Sequence, residues 1–414
     1  MNMKTEPGSA AEQAGPRTRM LVIATLGFAV TFWAWALISP LAPSLATKLG
    51  LSSFQQSLIV AVPVIVGSLG RIPIGALTDR FGGRLMLPIV SVATIVPVLF
   101  LAFFGDQSLA TLLIGGFFLG IGGTSFAVGV PFVSAWFPPE RRGLAIGIFG
   151  VGMVGTAISA FTTVRLVELG SSATPFLVTA AALAVYAVVA WLLLRDAPGQ
   201  VRPTTSMAKR VGETLKLGVT WQAAALYATL FGGYVAFSVY LPSLLKAEYD
   251  LSIADASNRM AGFVILAVIM RPVGGFLSDK IGPVPVLATC LGAVVFGALI
   301  DATSPALFPI ATIAYLVMAA GLGAGSGATF ALVALLSPAG KVGSVTGVVG
   351  AAGGLGGFVP PLLMGVVYGA TGSYTIGFLL LALVAAAVLV FTLTSIRSVL
   401  AKRDAVEVQR EVAA

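Results

Sequence analysis

The chain of 414 residues contains no histidine and a single cysteine, Cys290, and only 10% of its residues are charged. The absence of histidine removes the most common transition-metal ligand and the side chain that most often shuttles protons near neutral pH. One cysteine excludes an intramolecular disulfide bond and a metal site built from several cysteines. We therefore expect no metal and no cofactor. Soluble domains carry about 25% charged residues, so the scarcity of charge points away from that class.

Apolar residues fill the chain instead. Hydrophobic residues make up 57% of the sequence, and the mean hydropathy is +1.00. Runs of about 20 apolar residues, the length needed to cross a bilayer, recur throughout, and too little chain remains for a soluble catalytic domain. The sequence predicts an all-α membrane protein that is not an enzyme, with twelve transmembrane helices at 20–46, 54–78, 85–104, 109–136, 143–167, 173–194, 221–245, 257–279, 284–301, 306–336, 343–368 and 373–396.

Basic residues indicate how these helices are oriented. With the N-terminus inside, the cytoplasmic segments hold eighteen lysines and arginines, whereas the other side holds four. This bias predicts a multi-pass protein of the cytoplasmic membrane with both termini in the cytoplasm. The net charge of +8 is then a topology signal and not a nucleic-acid footprint. Residues 1–19 are expected to form a disordered cytoplasmic segment, and residues 397–414 a cytoplasmic tail. The N-terminus lacks the cleavage site of a signal peptide.

The two ends of the chain repeat each other. A polar, basic loop at 195–220 separates a six-helix half at 20–194 from another at 221–396. The same residue types recur 200 positions apart, in the pairs Pro138 and Pro338, Gly143 and Gly343, Gly147 and Gly347, and Gly150 and Gly350. Two six-helix repeats with a site between them near the bilayer midplane form the layout of the major facilitator fold.

Arg71 and Arg271 obey the same offset, and each lies inside an apolar run. A membrane-embedded arginine costs about 2.5–3.5 kcal/mol even on lenient scales, so two at equivalent positions favour a shared task. The planar guanidinium group suits an oxyanion, to which it donates two parallel hydrogen bonds. Two alternatives remain open. Each arginine could extend to the interface, about 12 Å away at the aspartate eight residues later, or form a buried ion pair with an unidentified acid.

Two short loops carry a wider resemblance. The loop Gly75-Ala-Leu-Thr-Asp-Arg-Phe-Gly-Gly-Arg84 resembles the signature between helices 2 and 3 of the major facilitator superfamily, and Gly275 to Lys280 resembles its counterpart between helices 8 and 9. Because a carboxylate there can face the positive N-terminal end of a neighbouring helix, the resemblance implies a gating role. The residues concerned are Asp79, Arg80, Arg84, Asp279 and Lys280.

A narrower resemblance covers all twelve spans. Gly343 to Pro361 and Phe126 to Gly155 resemble the two glycine-rich signatures of the nitrate/nitrite porter family. The resemblance implies that Arg71 and Arg271 bind the anion and that Phe126, Tyr227 and Phe231 flank it. The signature glycines either pack helices closely or also let the backbone reach the substrate and flex. They are Gly147, Gly150, Gly152, Gly155, Gly347, Gly350, Gly353, Gly354, Gly356 and Gly357.

The chain departs from that family at two positions. Better-known members carry asparagines, which are thought to recognise nitrate oxygens, where this sequence has Met153 and Ala267. We expect a monomeric secondary transporter of a small inorganic anion, nitrate or nitrite first, with no cofactor and no nucleic-acid partner. Exchange is favoured over proton symport, because the sequence has no histidine and no carboxylate in the middle of a span. A transporter of small carboxylates and a non-transporting membrane sensor are the alternatives.

Overall fold

A computed structural model describes residues 14–198, 207–338 and 341–399. Twelve helices in it are long and apolar enough to cross a membrane, and no β-strand occurs in these ranges. They are α1 Gly15–Leu49, α2 Ser53–Phe81, α3 Gly83–Phe104, α4 Leu109–Trp136, α5 Ala145–Leu169, α6 Thr174–Leu193, α7 Gly218–Tyr249, α8 Ile253–Ile281, α9 Pro283–Asp301, α10 Leu307–Leu336, α11 Ser344–Thr371 and α12 Thr375–Val399. The predicted all-α membrane fold is confirmed.

Differences from the predicted boundaries are confined to helix ends and the central loop. Residues 14–19, predicted to be disordered, are helical and form the start of α1. The predicted loop at 195–220 contains a short helix, Met207–Thr214. This helix was not predicted, because its segment is polar and basic. Residues 1–13 and 199–206 and the tail from residue 400 onward lie outside the described ranges.

The repeat is visible in the backbone as well as in the sequence. Gly82 and Gly282, which follow α2 and α8, have φ values of 86° and 84°. Gly50 and Asp250, which end α1 and α7, are left-handed, with φ values of 63° and 50°. Left-handed backbone favours glycine, so Asp250 adopts a conformation that the repeat imposes on it. The ends of these two pairs of helices therefore match at the offset of 200 positions.

Helix regularity differs between the halves. In the N-terminal half, short 3₁₀ turns interrupt α4 at Gly120–Thr124 and α5 at Val151–Val154. In the C-terminal half, α10 is a continuous α-helix over Thr312–Leu336, and α11 is interrupted by a turn at Gly357 and Phe358. Discontinuous helices in transporters often carry the substrate site, because freed backbone groups can then reach it.

The halves contact each other from the middle of the bundle to one end. We call the end formed by the loops 80–84 and 280–284 the basic end and the other the opposite end. Hydrogen bonds across the halves join Ser39 Oγ to the carbonyl oxygen of Val239 at 2.6 Å and Arg165 Nη1 to Asn258 Oδ1 at 3.0 Å. Both pairs lie between the middle of the bundle and the opposite end.

Candidate anion-binding site

Arg71 is held by backbone carbonyl groups. It directly follows Gly70 on α2, and only 8% of its surface is exposed. Its Nη1 donates to the carbonyl oxygen of Gly350 at 2.7 Å, and its Nε donates to that of Gly123 at 3.4 Å. The Phe126 ring centroid lies 5.3 Å from its Cζ atom, within cation–π range. Gly123 belongs to the 3₁₀ turn of α4.

Arg271 is held by side chains. It lies on the unbroken helix α8 and is half-buried. Its Nη1 donates to Met153 Sδ and its Nη2 to Tyr227 Oη, both at 2.7 Å. Its Cζ atom is 5.5 Å from the Phe231 ring centroid and 5.7 Å from that of Phe330. Aromatic rings therefore surround the guanidinium group without neutralising it.

Each arginine reaches into the other half of the molecule. Arg71 belongs to the N-terminal half and bonds to α11, while Arg271 belongs to the C-terminal half and bonds to α5. At the offset of 200 positions Met153 corresponds to residue 353, so the two acceptors, Gly350 and Met153, lie three residues apart in the repeat. The guanidinium groups are close enough to repel each other electrostatically. Two like charges are thus brought together where the halves meet.

No carboxylate among the described residues balances these charges. Within the ranges that the structure describes, neither arginine takes part in a salt bridge. The buried-ion-pair alternative is therefore wrong for the described chain. Extension to the interface is wrong for Arg71, because its guanidinium bonds to backbone atoms inside the bundle. Uncompensated buried charges are strongly destabilising, so a negative charge placed beside these guanidinium groups would be stabilising.

The predicted aromatic residues lie beside the arginines. Tyr227 and Phe231 stack on one face of α7, with their ring centroids 4.6 Å apart and their planes at 1°. Phe126, on α4, contacts Arg71 from the N-terminal half. Phe330 on α10 meets Tyr227 edge-on at 4.8 Å and was not predicted. An aromatic residue in an apolar helix usually belongs to the core, and no motif distinguished this one.

The two departures from the family pattern have different surroundings. Met153 is buried and contacts Arg271, so a thioether lies against the guanidinium group at the position where the family resemblance implies an asparagine. Ala267 is also buried, and it lies where α10 passes against the backbone of α8. A side chain at Gly323 would overlap its carbonyl oxygen. Only Met153 therefore touches the arginine pair.

The signature glycines fall into packed and open groups. A side chain at Gly353 would overlap the Tyr227 ring, and one at Gly354 would overlap Ser68 across the halves. The others that pack tightly against neighbouring helices are Gly152, Gly155, Gly356 and Gly357. Gly350 would place a Cβ atom 3.6 Å from Phe126, an ordinary contact. Gly147, Gly150 and Gly347 have no such neighbour within 4 Å.

The predicted gating residues lie away from the arginine pair, at the basic end. The backbone N–H of Arg84 donates to Asp196 Oδ1 at 3.3 Å. Arg80 lies over the Phe81 ring at 5.3 Å, and Lys280 lies over Phe276 at 4.5 Å. Asp79 is half-buried, whereas Asp279 is exposed.

The chain is similar to a known protein family and to several named relatives. The family model described as Major Facilitator Superfamily matches residues 24–257 and 223–411. A relative named "Probable nitrate/nitrite transporter NarK2" from Mycobacterium tuberculosis is 48% identical over 91% of this chain and 96% of its own. The "Nitrite extrusion protein" of Bacillus subtilis is 36% identical over 89% and 91%. The "Probable nitrate transporter NarT" of Staphylococcus haemolyticus is 35% identical over 88% and 93%.

Solved structures show the same fold at low identity. A bacterial homologue of the human lysosomal transporter Spinster superposes with a TM-score of 0.73 at 19% identity, covering 92% of this chain and 97% of its own. A D-xylose–proton symporter superposes with a TM-score of 0.73 at 16% identity, covering 91% and 97%. Twelve spans in two repeats and these likenesses define a multi-pass membrane transporter, not an enzyme. Within the major facilitator superfamily, the chain belongs to the nitrate/nitrite porter family.

Proposed function

We propose that this transporter carries nitrate and nitrite and that Arg71 and Arg271 bind the anion between the two halves. The observation that carries the proposal is a pair of guanidinium groups, one buried and one half-buried, with no carboxylate partner among the described residues. A planar oxyanion can accept hydrogen bonds from both groups and neutralise part of their charge. The relatives named for nitrate and nitrite support these two anions as the substrates within this class.

The aromatic residues limit the size of the substrate. Tyr227, Phe231 and Phe330 surround Arg271, and Phe126 covers Arg71. Flat apolar walls suit a small planar anion, because they desolvate it without competing for its oxygens. The Tyr227 hydroxyl, already bonded to Arg271, is placed to take part in recognition. A small carboxylate such as formate is the competitor that the site would have to reject.

Exchange of one anion for another follows from the charges. An empty carrier would have to pass both guanidinium groups through a closed, water-poor state, in which unpaired charge is costly. An anion on either side removes that cost. The carrier therefore returns with an anion bound and exchanges nitrite for nitrate. In this proposal it works as a monomer in the cytoplasmic membrane, with both termini in the cytoplasm.

Counterflow in proteoliposomes tests the proposal. Vesicles preloaded with nitrite should take up labelled nitrate much faster than empty vesicles when no pH gradient is present. Formate and chloride added outside should compete weakly. Equal initial rates in loaded and empty vesicles would rule out obligatory exchange, and stronger competition by formate than by nitrite would move the assignment to carboxylates.

A further inference from the structure

The opposite end of the C-terminal half contains a carboxyl group without a partner. Asp301 is the last residue of α9 and is only 3% exposed. Among the residues that the structure describes, neither of its carboxylate oxygens has a hydrogen-bond partner. Burial removes the hydration of an ionised carboxylate, and here no protein donor replaces that hydration. The ionised form is therefore disfavoured at this position.

The surroundings of Asp301 add negative charge. Glu248, near the end of α7, is the charged residue that acts on it electrostatically. Tyr249 and Tyr315 lie nearby on α7 and α10, and their hydroxyl groups hydrogen-bond to each other. Asp301 also ends a helix, where the macrodipole is negative. The charge of Glu248 and the negative end of the helix dipole both favour adding a positive charge to Asp301.

No basic side chain of the described chain supplies that charge. Lys246, on α7, makes no hydrogen bond or ion pair with Asp301. Arg259, on α8, pairs instead with Asp255, with its Nε 3.2 Å from Oδ1. Tyr374, just before α12, faces the Tyr240 hydroxyl at 3.3 Å.

The N-terminal half has a carboxylate near the same end of the bundle, partly exposed and not at the repeat equivalent of Asp301, and a lysine neutralises it. Asp106 lies two residues beyond the end of α3, the helix that corresponds to α9, and Lys48 Nζ is 2.6 Å from its Oδ2. The hydrogen bond from Lys48 lowers the pKa of Asp106. Residue 248 is the repeat equivalent of Lys48, at the offset of 200 positions. The C-terminal half thus has glutamate where the N-terminal half has the cation.

We propose that Asp301 binds a proton in the folded transporter, in the role that Lys48 has in the other half. A metal ion would need several converging oxygen ligands, whereas Asp301 has no polar neighbour at hydrogen-bonding distance. A proton needs only one oxygen. Water must reach the carboxyl group before this proton can leave. Whether Asp301 holds the proton is therefore coupled to the closed arrangement of α7, α9 and α10. The site is separate from the arginine pair and does not rest on nitrate as the substrate.

Infrared spectroscopy of the full-length transporter in lipid nanodiscs tests the site. The wild type should show the carbonyl stretch of a protonated carboxylic acid at neutral pH. Asp301→Asn should remove this band, and Asp106→Asn, the matched change in the other half, should leave it. Glu248→Lys should also remove it while Asp301 is still present, because the new lysine supplies the missing charge. Glu248→Gln should leave the band, since Asp301 remains buried without a cation.

Three results would overturn the proposal. One is a wild-type spectrum without the band at neutral pH. Another is a band that persists in both Asp301→Asn and Glu248→Lys. The third is a band that disappears in Glu248→Gln but persists in Asp301→Asn, which would assign the proton to Glu248. Because Glu248→Lys leaves Asp301 in place, the test survives if Asp301→Asn fails to fold.

Discussion

The N-terminal and C-terminal halves share a backbone register but hold their arginines in different ways. Arg71 lies on α2 and bonds to two carbonyl oxygens, those of Gly123 and Gly350. Arg271 lies on a continuous helix and bonds to two side chains, those of Met153 and Tyr227. The two arginines therefore occupy equivalent positions of the repeat but have different hydrogen-bond partners. Arg71 is fixed by backbone, whereas the partners of Arg271 can change by mutation.

Replacing each arginine with lysine should have the largest effect and should separate the halves. Arg71→Lys should lose more nitrate exchange than Arg271→Lys, because one ammonium group cannot donate to Gly123 and Gly350 from two sides. A lost charge-assisted hydrogen bond costs about 1.5–3 kcal/mol, so both variants should fall about tenfold or more. Counterflow rates, normalised to the amount of protein in the membrane, measure this. Wild-type counterflow rates in both variants would contradict a binding site formed by Arg71 and Arg271.

Alanine at two nearby glycines should show which part of α11 tolerates a side chain. Gly353→Ala drives a methyl group into Tyr227, the partner of Arg271, and overpacking typically costs about 1–3 kcal/mol. Gly350→Ala is the matched control, because its methyl group meets Phe126 at an ordinary 3.6 Å. Thermal unfolding and exchange should both suffer in the first variant and change little in the second. The reverse order would mean that α11 shifts during the cycle.

Met153, the repeat equivalent of Gly353, should tune selectivity. Met153→Asn adds an amide beside Arg271, and one neutral hydrogen bond is worth about 1 kcal/mol. Discrimination between nitrate and other small monovalent anions should therefore increase about fivefold. Met153→Leu, which keeps the volume but removes the sulfur acceptor, is the control and should not gain selectivity. Competition curves for the three proteins test this change in selectivity. Identical curves would mean that Met153 has only a packing role.

The smallest effect is expected at the ion pair between Lys48 and Asp106. Both side chains are partly exposed, at 57% and 31%, and such pairs contribute about 1 kcal/mol or less. The lysine lowers the pKa of Asp106 in the folded state, so its stabilisation is present at neutral pH. It is lost as the pH falls and the carboxylate is protonated. Lys48→Met should lower the unfolding temperature slightly at neutral pH and not at all in acid. A large loss at neutral pH would contradict the comparison with Asp301.

Periodicity and charge were enough to predict the fold, because membrane spans are set by length and hydropathy. The 200-residue offset likewise identified Arg71 and Arg271 as a pair. Two features escaped prediction for physical reasons. Phe330 looks like any core aromatic in an apolar helix. The acceptor role of the Gly350 carbonyl has no residue-type signature, since every residue has a carbonyl group.

The bond between Arg71 and the Gly350 carbonyl has a consequence for mutational scanning. The acceptor is a main-chain atom, so replacing any side chain of α11 leaves it in place. A scan that substitutes each residue of that helix would record no loss at the contact and would miss it. Only changing Arg71, or exchanging the Gly350 amide linkage for an ester analogue with a weaker acceptor oxygen, would reveal the contribution of this bond.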